Sequence, residues 1–273
     1  MKLKNIMRGT ICGAIALVAA SCSNIDENDR LIYVKPAEVG RAVLIEDYTG
    51  QRCVNCPRGT ETINSIVEAY GEDNVIAVGI HSGPLGFAGN AKNVGLMTDT
   101  GNEYYSHWDS ANKIGQPWAL FNRNAAPNSD YNTWAAYVAS IMAMKAKISL
   151  AVANTYDPAS RALSCAVEAY GTDGNTTGKL QLWLIEDGIT AMQMMPDGSA
   201  NREYVHNHVF RAAVNGTWGD DIAIKEGESV SKQYTYTIPE SWNADNVSVV
   251  AFVYNDNGVE QVTKKPILNN TNE

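Results

Sequence analysis

Basic residues are scarce in this chain: 21 Lys and Arg stand against 30 Asp and Glu, and the formal charge is −9 over 273 residues. A body of that sign has no electrostatic footprint for nucleic acid, so no nucleic-acid partner is expected. It would also be repelled by anionic lipid surfaces. No apolar run reaches the ~20 residues that a membrane-spanning helix needs; Ile11 to Ala20 falls well short. There are four histidines, none with companions at a spacing that marks a metal site. A Ser-His-Asp signature, a Gly-rich phosphate loop and a glycosidase-like carboxylate constellation are all missing, and no cofactor or metal is expected. No internal repeat or coiled-coil heptad is present. Cysteine is limited to five residues, Cys12, Cys22, Cys53, Cys56 and Cys165, and these carry most of the information.

The N-terminus addresses the chain to a compartment. Lys2, Lys4 and Arg8 form a positive n-region, and Ile11 to Ala20 has the length of a signal-peptide h-region. Ala19, Ala20 and Ser21 before Cys22 resemble a bacterial lipoprotein cleavage box, although Ala19 stands where leucine is usual. On that reading residues 1–21 are a lipoprotein signal peptide and Cys22 is the lipidation site. The alternative is a plain secretory signal with an incidental cysteine. Residues 22–36 are polar and acidic at their start, as in a flexible tether, and resemble the surface-export signal of some Gram-negative lipoproteins. Loss of residues 1–21 removes three basic residues and no acidic one, which moves the formal charge from −9 to −12. A lipid anchor holds such a body to a membrane without spanning it. In an oxidising compartment the Cys53–Cys56 pair is a disulfide by default.

The rest of the chain reads as two domains. From 37 to 146 strands alternate with helices, which implies a βαβ-type sheet. Val43-Leu44-Ile45 is a buried-strand run that ends at Tyr48-Thr49-Gly50. Ile63, Ile66, Val67 and Tyr70 recur at helical spacing before Gly71. Val75 to Ile80 is a second strand, Pro117 to Phe121 a third, and Trp134, Val138 and Ile141 mark another helix. The Gly- and Asn-rich stretch 82–112 is too long for a simple connection and reads as an insertion with some helix of its own. From 147 to 273 the period switches to two, through Ile148, Leu150 and Val152, then Leu163, Cys165 and Val167, and on to Val247, Ala251 and Val253. Asn255-Asp256-Asn257-Gly258 supplies a hairpin turn. About seven short strands suggest an all-β sandwich of immunoglobulin or fibronectin type.

Chemistry concentrates at Cys53-Val54-Asn55-Cys56-Pro57, at a strand-to-helix junction, with Asp47 six positions before Cys53 and Gln116-Pro117 before the third strand. This order resembles the thioredoxin superfamily. The resemblance implies an α/β thioredoxin-like domain with Cys53 as nucleophile, Cys56 as resolving thiol, Asp47 as a buried proton acceptor near Cys56, and Pro117 as a cis-proline against the sulfurs. Such a helix N-terminus favours the Cys53 thiolate, Pro57 is tolerated in a first turn, and a proline at 117 leaves the preceding backbone edge free for a peptide. Arg52 and Gln116 depart from the family pattern. His81, at the C-terminal end of the second strand, lies at the edge of the sheet where function concentrates in open α/β folds. As an imidazolium it would favour the Cys53 thiolate; a simple hydrogen-bonding role is the other reading.

The wider sequence resembles one narrower family. Tyr48 to Pro57, Ile80-His81-Ser82-Gly83, Gly115-Gln116-Pro117, Asn122-Arg123, Tyr204 to Val209 and Asn215 to Gly219 are similar to the outer-membrane lipoproteins related to the "28-kilodalton outer membrane protein" of anaerobic Gram-negative bacteria. The resemblance implies an outer-membrane, surface-exposed, lipid-anchored protein, with the periplasmic face as the alternative location. It brings no established reaction. Two functions follow from the residues. One is a binding or interaction module for a protein or a host or envelope ligand, with a structural disulfide. The other is a membrane-anchored thiol–disulfide oxidoreductase that uses Cys53 and Cys56. His206 and His208 share a face if Tyr204 to Phe210 is a strand, which would offer two imidazoles to a metal; structural histidines are the other reading. Cys165, on a face with Leu163 and Val167, reads as a buried apolar thiol.

Overall fold

The computed structural model describes residues 39–268. The expected signal peptide, the Cys22 lipidation site and the acidic tether therefore lie outside the described residues.

Seven consecutive buried residues form β2 (Val43–Thr49), after a two-residue β1 (Val39–Gly40). Burial on both faces is what a continuous apolar run implies for a central strand. The chain turns at Gly50 and enters α1 (Cys56–Tyr70), which buries Ile63 and Ile66. Gly71 ends that helix at φ 86°, a conformation that glycine adopts without a Cβ penalty. β3 (Val75–His81) lies parallel to β2, as a strand–helix–strand crossover requires. A 3-10 turn at Gly83–Leu85 and α2 (Asp99–Trp108) follow. The Thr98 hydroxyl caps α2 by accepting from the Gly101 amide at 3.0 Å. β4 (Trp118–Phe121) runs antiparallel to β2, and α3 (Trp134–Met142) closes this half. The helix in the 82–112 insertion and the strands and helices around it match the sequence expectation.

The second half is built from strands. They are β5 (Lys145–Ala146), β6 (Ile148–Asp157), β7 (Ala162–Gly171), β8 (Thr176–Glu186), β9 (Ile189–Met194), β10 (Ala200–His206), β11 (Val209–Ala213), β12 (Asp220–Ile224), β13 (Ser229–Thr237), β14 (Val247–Asn255) and β15 (Gly258–Pro266). The molecule is mostly β-sheet. The strands expected to form a sandwich of their own from residue 147 instead divide among several sheets. β8, β11, β14 and β15 continue the first half's sheet in the order β15-β14-β8-β11-β3-β2-β4, with β12 paired to β8. The junction is parallel, with Val209 opposite Gly79. Segments 37–146 and 147–273 therefore share one sheet. Alternation identifies a strand's two faces but not the edge it joins, so this pairing was not readable from periodicity.

The packing follows from that shared sheet. One face buries Leu44, Ile76, Trp118, Trp183 and Phe252 in a single core with Tyr104 and Tyr105 of α2. Of the alternating residues on the other face, Val43, Ile45 and Ala77 pack under α1 and α3. Further along, Leu182, Leu184, Val249 and Ala251 pack against the three-stranded sheet β13-β7-β6. That last contact is sheet on sheet, so a sandwich is present within the larger assembly. Cys165 is buried there beside Leu163 and Val167, as expected, and burial pushes its thiol up to about 11. β9 and β10 form a separate two-stranded arm.

Candidate functional site

The motif loop is held from two directions. Cys53 and Cys56 form a disulfide at the N-terminus of α1, with Cα atoms 5.4 Å apart. Gln116-Pro117 is a cis peptide, and the Gln116 carbonyl oxygen lies 3.5 Å from the Cys53 sulfur. α1 sits close on this proline: a Cβ on Gly59 would come within 3.0 Å of its ring. The Arg52 amide donates to the Leu85 carbonyl at 3.0 Å, which draws the 3-10 turn over the loop. Gly50 is required at this crossing, because a Cβ there would run into the Leu85 carbonyl. Arg52 itself points outward, with its guanidinium 5.0 Å above the Phe87 ring.

The arm of β9 and β10 closes the second direction. Gln193 donates from its amide to the carbonyls of Cys53 at 2.9 Å and Gly50 at 3.3 Å. Gln51 reciprocates by donating to Met192 O at 3.0 Å and accepting from the Leu96 amide at 2.9 Å. Under this cover each cysteine is only 1 % exposed. The Gln116 side chain is also tied down. Gln116 donates to the Thr49 and Ser82 carbonyls at 2.8 and 3.0 Å, and its side-chain oxygen faces the Leu85 amide. The residue before the proline is thus a long amide that bridges to its own neighbours.

Beneath the disulfide is a small cavity of about 30 Å³, bordered by Asp47, Cys56, His81 and His206. A space of that size admits a water molecule but no substrate. Asp47 is 4 % exposed, and burial pushes its carboxyl up to about 7. His81 and His206 are each 5 % exposed, with ring centroids 5.1 Å apart. Burial drives His81 down to about 3 and His206 down to about 4. Among the described residues Asp47 Oδ1, His81 Nδ1 and His206 Nε2 have no protein partner. Of the two readings of His81, burial disfavours the imidazolium, since this pocket leaves the charged ring unsolvated.

His206 and His208 do not share a strand face. β10 ends at His206, and His208 adopts φ 57° in the turn before β11, where its amide donates to Asp187 at 2.5 Å. Of the two readings of these histidines, the shared face that a two-imidazole metal pair would need is absent, and no cluster of three or more His, Cys, Asp or Glu side chains is placed for a metal among the described residues. Sequence reading missed Gln51, Gln193 and the buried ion pair of Glu46 with Arg123, at 2.6 and 3.0 Å. A glutamine on an unrecognised short strand carries no signal of its own. Arg123 was visible only as part of Asn122-Arg123, two consecutive residues at positive φ.

The family model described as Outer membrane protein Omp28 matches residues 101–271, well over half of the chain. The chain belongs to the Omp28 family of outer membrane proteins. The matched span begins after the Cys53–Cys56 loop, within α2, and takes in every strand from β4 to β15. No curated protein matches the chain. Among solved structures, HBP35 of Porphyromonas gingivalis is similar over 84 % of this chain and 76 % of its own, with a TM-score of 0.64 and 14 % identity. That likeness is one of fold. A domain of the outer membrane lipoprotein Omp28 from Porphyromonas gingivalis is 29 % identical over 45 % of this chain and 88 % of its own, with a TM-score of 0.33.

Proposed function

We propose that this Omp28-family chain is a lipid-anchored binding protein of the outer membrane, held by Cys22, with its body at the cell surface and Cys53–Cys56 as a structural staple. The observation that carries this reading is the burial of both sulfurs, each 1 % exposed. A thiolate attack needs in-line access to a sulfur, and here the 3-10 turn and the β9–β10 arm occupy the approach. The acidic character of the chain and the lipoprotein-like signal support an envelope location. For the first half the reading is a thioredoxin-like unit used as a scaffold: parallel β2 and β3, antiparallel β4, the CxxC at the start of α1, cis-Pro117 and buried Asp47 support it. For the strands packed sheet on sheet the reading is an immunoglobulin- or fibronectin-like sandwich.

The test is thiol trapping in the native protein. After mild reduction and alkylation, Cys53 and Cys56 should remain unmodified until denaturant is added. Their reduction potential should lie below about −300 mV, as for structural disulfides. Rapid alkylation in the folded state, with a potential between about −120 and −270 mV, would establish the oxidoreductase instead. That second reading draws on one observation, the Asp47 carboxyl held near 7 beside Cys56.

A further inference from the structure

We infer that an open cleft between the end of α2, the start of β8, the β11–β12 loop and the β14–β15 hairpin binds a neutral saccharide. The cleft has a volume of about 1040 Å³ and lies away from the disulfide. Ligand sites are usually preformed concavities with aromatic walls and a few polar groups, and this one has both.

Its wall is aromatic and rigid. Trp108, Trp218 and Tyr254 line it, together with His107. The Trp218 indole donates to Glu103 Oε1 at 3.1 Å, and its carbonyl accepts from the Tyr254 hydroxyl at 2.7 Å. The preceding carbonyl, of Thr217, accepts from the Tyr104 hydroxyl at 2.5 Å. The His107 ring lies 4.6 Å from that of Trp218. Rings fixed in this way lose little freedom when a ligand settles on them, which removes a main cost of binding.

Charge decides which ligand fits. The two lining residues that carry fixed positive charge are both paired: Lys179 with Asp221 at 2.8 Å, and Arg123 with Glu46 at 2.6 Å. An anionic ligand would find no unpaired lysine or arginine, and would face Asp221 and Asp256 as well. A purely apolar ligand would strip water from the exposed Thr177 and Asp256 without replacing it. A sugar ring meets both demands. Its C–H face stacks on the electron-rich face of an aromatic ring, and its hydroxyls pair with the exposed Asp256 carboxylate and Thr177 hydroxyl on the rim. The open side of the cleft leaves room for a chain of such rings.

The inference rests on the binding-protein reading and gives it a site and a ligand class. The full-length lipidated protein, in detergent, is presented to neutral oligosaccharides of glucose, galactose and mannose and to acidic glycans, and binding is followed by tryptophan fluorescence. Saturable binding of a neutral oligosaccharide is expected, weakened at least about tenfold in Trp218→Ala, the loss of one stacking contact of ~1.4 kcal/mol. Because Trp218 also packs against the core, Asp256→Ala serves as the second variant: it lies exposed on a turn, so it should weaken binding severalfold with an unchanged melting temperature. Binding of acidic glycans alone, no neutral binding at millimolar concentration, or binding unchanged in both variants would overturn the inference. Such a failure with the sulfurs still protected from alkylation rejects the cleft alone. Alkylation of the native sulfurs rejects the binding-protein reading, whatever the cleft does.

Discussion

The Gln193 side chain donates to the Cys53 carbonyl at 2.9 Å, across 140 positions of sequence. Through this bond the second half of the chain holds down the loop that the first half presents. Gln193 is 3 % exposed and also reaches the Gly50 and Met194 carbonyls. In Gln193→Leu these buried acceptors lose their donor, at a cost of about 1–3 kcal/mol. The denaturant midpoint should fall accordingly, and alkylation of the reduced cysteines should become faster in the native state. An unchanged alkylation rate would show that the 3-10 turn at Gly83–Leu85 covers the sulfurs by itself.

The disulfide closes a short loop, so its removal should be tolerated. Loop-closure entropy for a ring this small gives about 2 kcal/mol. Replacing both residues, Cys53→Ala with Cys56→Ala, should lower the melting temperature by roughly 4–8 °C and leave ligand binding intact. Loss of the folded state would mean that the staple does more than restrict the unfolded chain.

Stability should fall on both sides of a window set by the cavity groups. Burial lowers the folded-state values of His81 and His206 to about 3 and about 4 from 6.5. The stability tied to their neutral forms is complete above 6.5 and drains as pH falls toward those lower values. Asp47 acts in the opposite sense, with a folded value near 7 against 3.8. Its protonated form is favoured in the fold, so the penalty begins above 3.8 and is fully developed once pH exceeds 7. Asp47→Asn should therefore stabilise the protein by a few kcal/mol at pH 8, on the order of 1.4 kcal/mol for each pH unit that separates the folded and unfolded values, and change little at pH 4. Thermal melts across pH 4–8 measure both arms. Equal effects of Asp47→Asn at the two ends would contradict this account.

Arg123 lies within reach of four rings, including Tyr254 at 4.6 Å and Phe252 at 5.1 Å, and its charge is balanced by Glu46, which is fully buried. Burial alone would lower the guanidinium, but the Glu46 carboxylate beside it more than offsets that and raises it overall. Glu46→Ala strands a buried cation and should cost about 3–5 kcal/mol. Chemical denaturation of the single and double variants, Glu46→Ala and Arg123→Met, gives the coupling. Additive losses would show that the pair is not the stabilising unit.

Cys22→Ser tests the anchor. The variant should be released from membranes into the soluble fraction, because on the proposed reading the lipid on Cys22 is what holds the body there. Continued membrane association would point to a plain secretory signal and a different mode of attachment.

Much of this protein was legible in its residues. The runs at Val43 and Val75, the helical spacing from Ile63 to Tyr70 and the placement of Gly71 follow from local propensity and period, which act within a few residues. Cys53, Cys56, Asp47 and Pro117 could be named as one constellation, and family membership could be read from motifs between Tyr48 and Gly219. The tertiary structure alone decided three things. It joined β11 to β3, so that strands of the second half complete the sheet of the first. It placed His206 and Gln193 against the disulfide loop, and it set Trp108, Trp218 and Tyr254 around one cleft. Each of these depends on pairing between segments far apart in sequence, where alternation specifies a face but not a partner. Burial follows from that pairing: it lowers the His81 imidazole and leaves Cys53 and Cys56 each 1 % exposed.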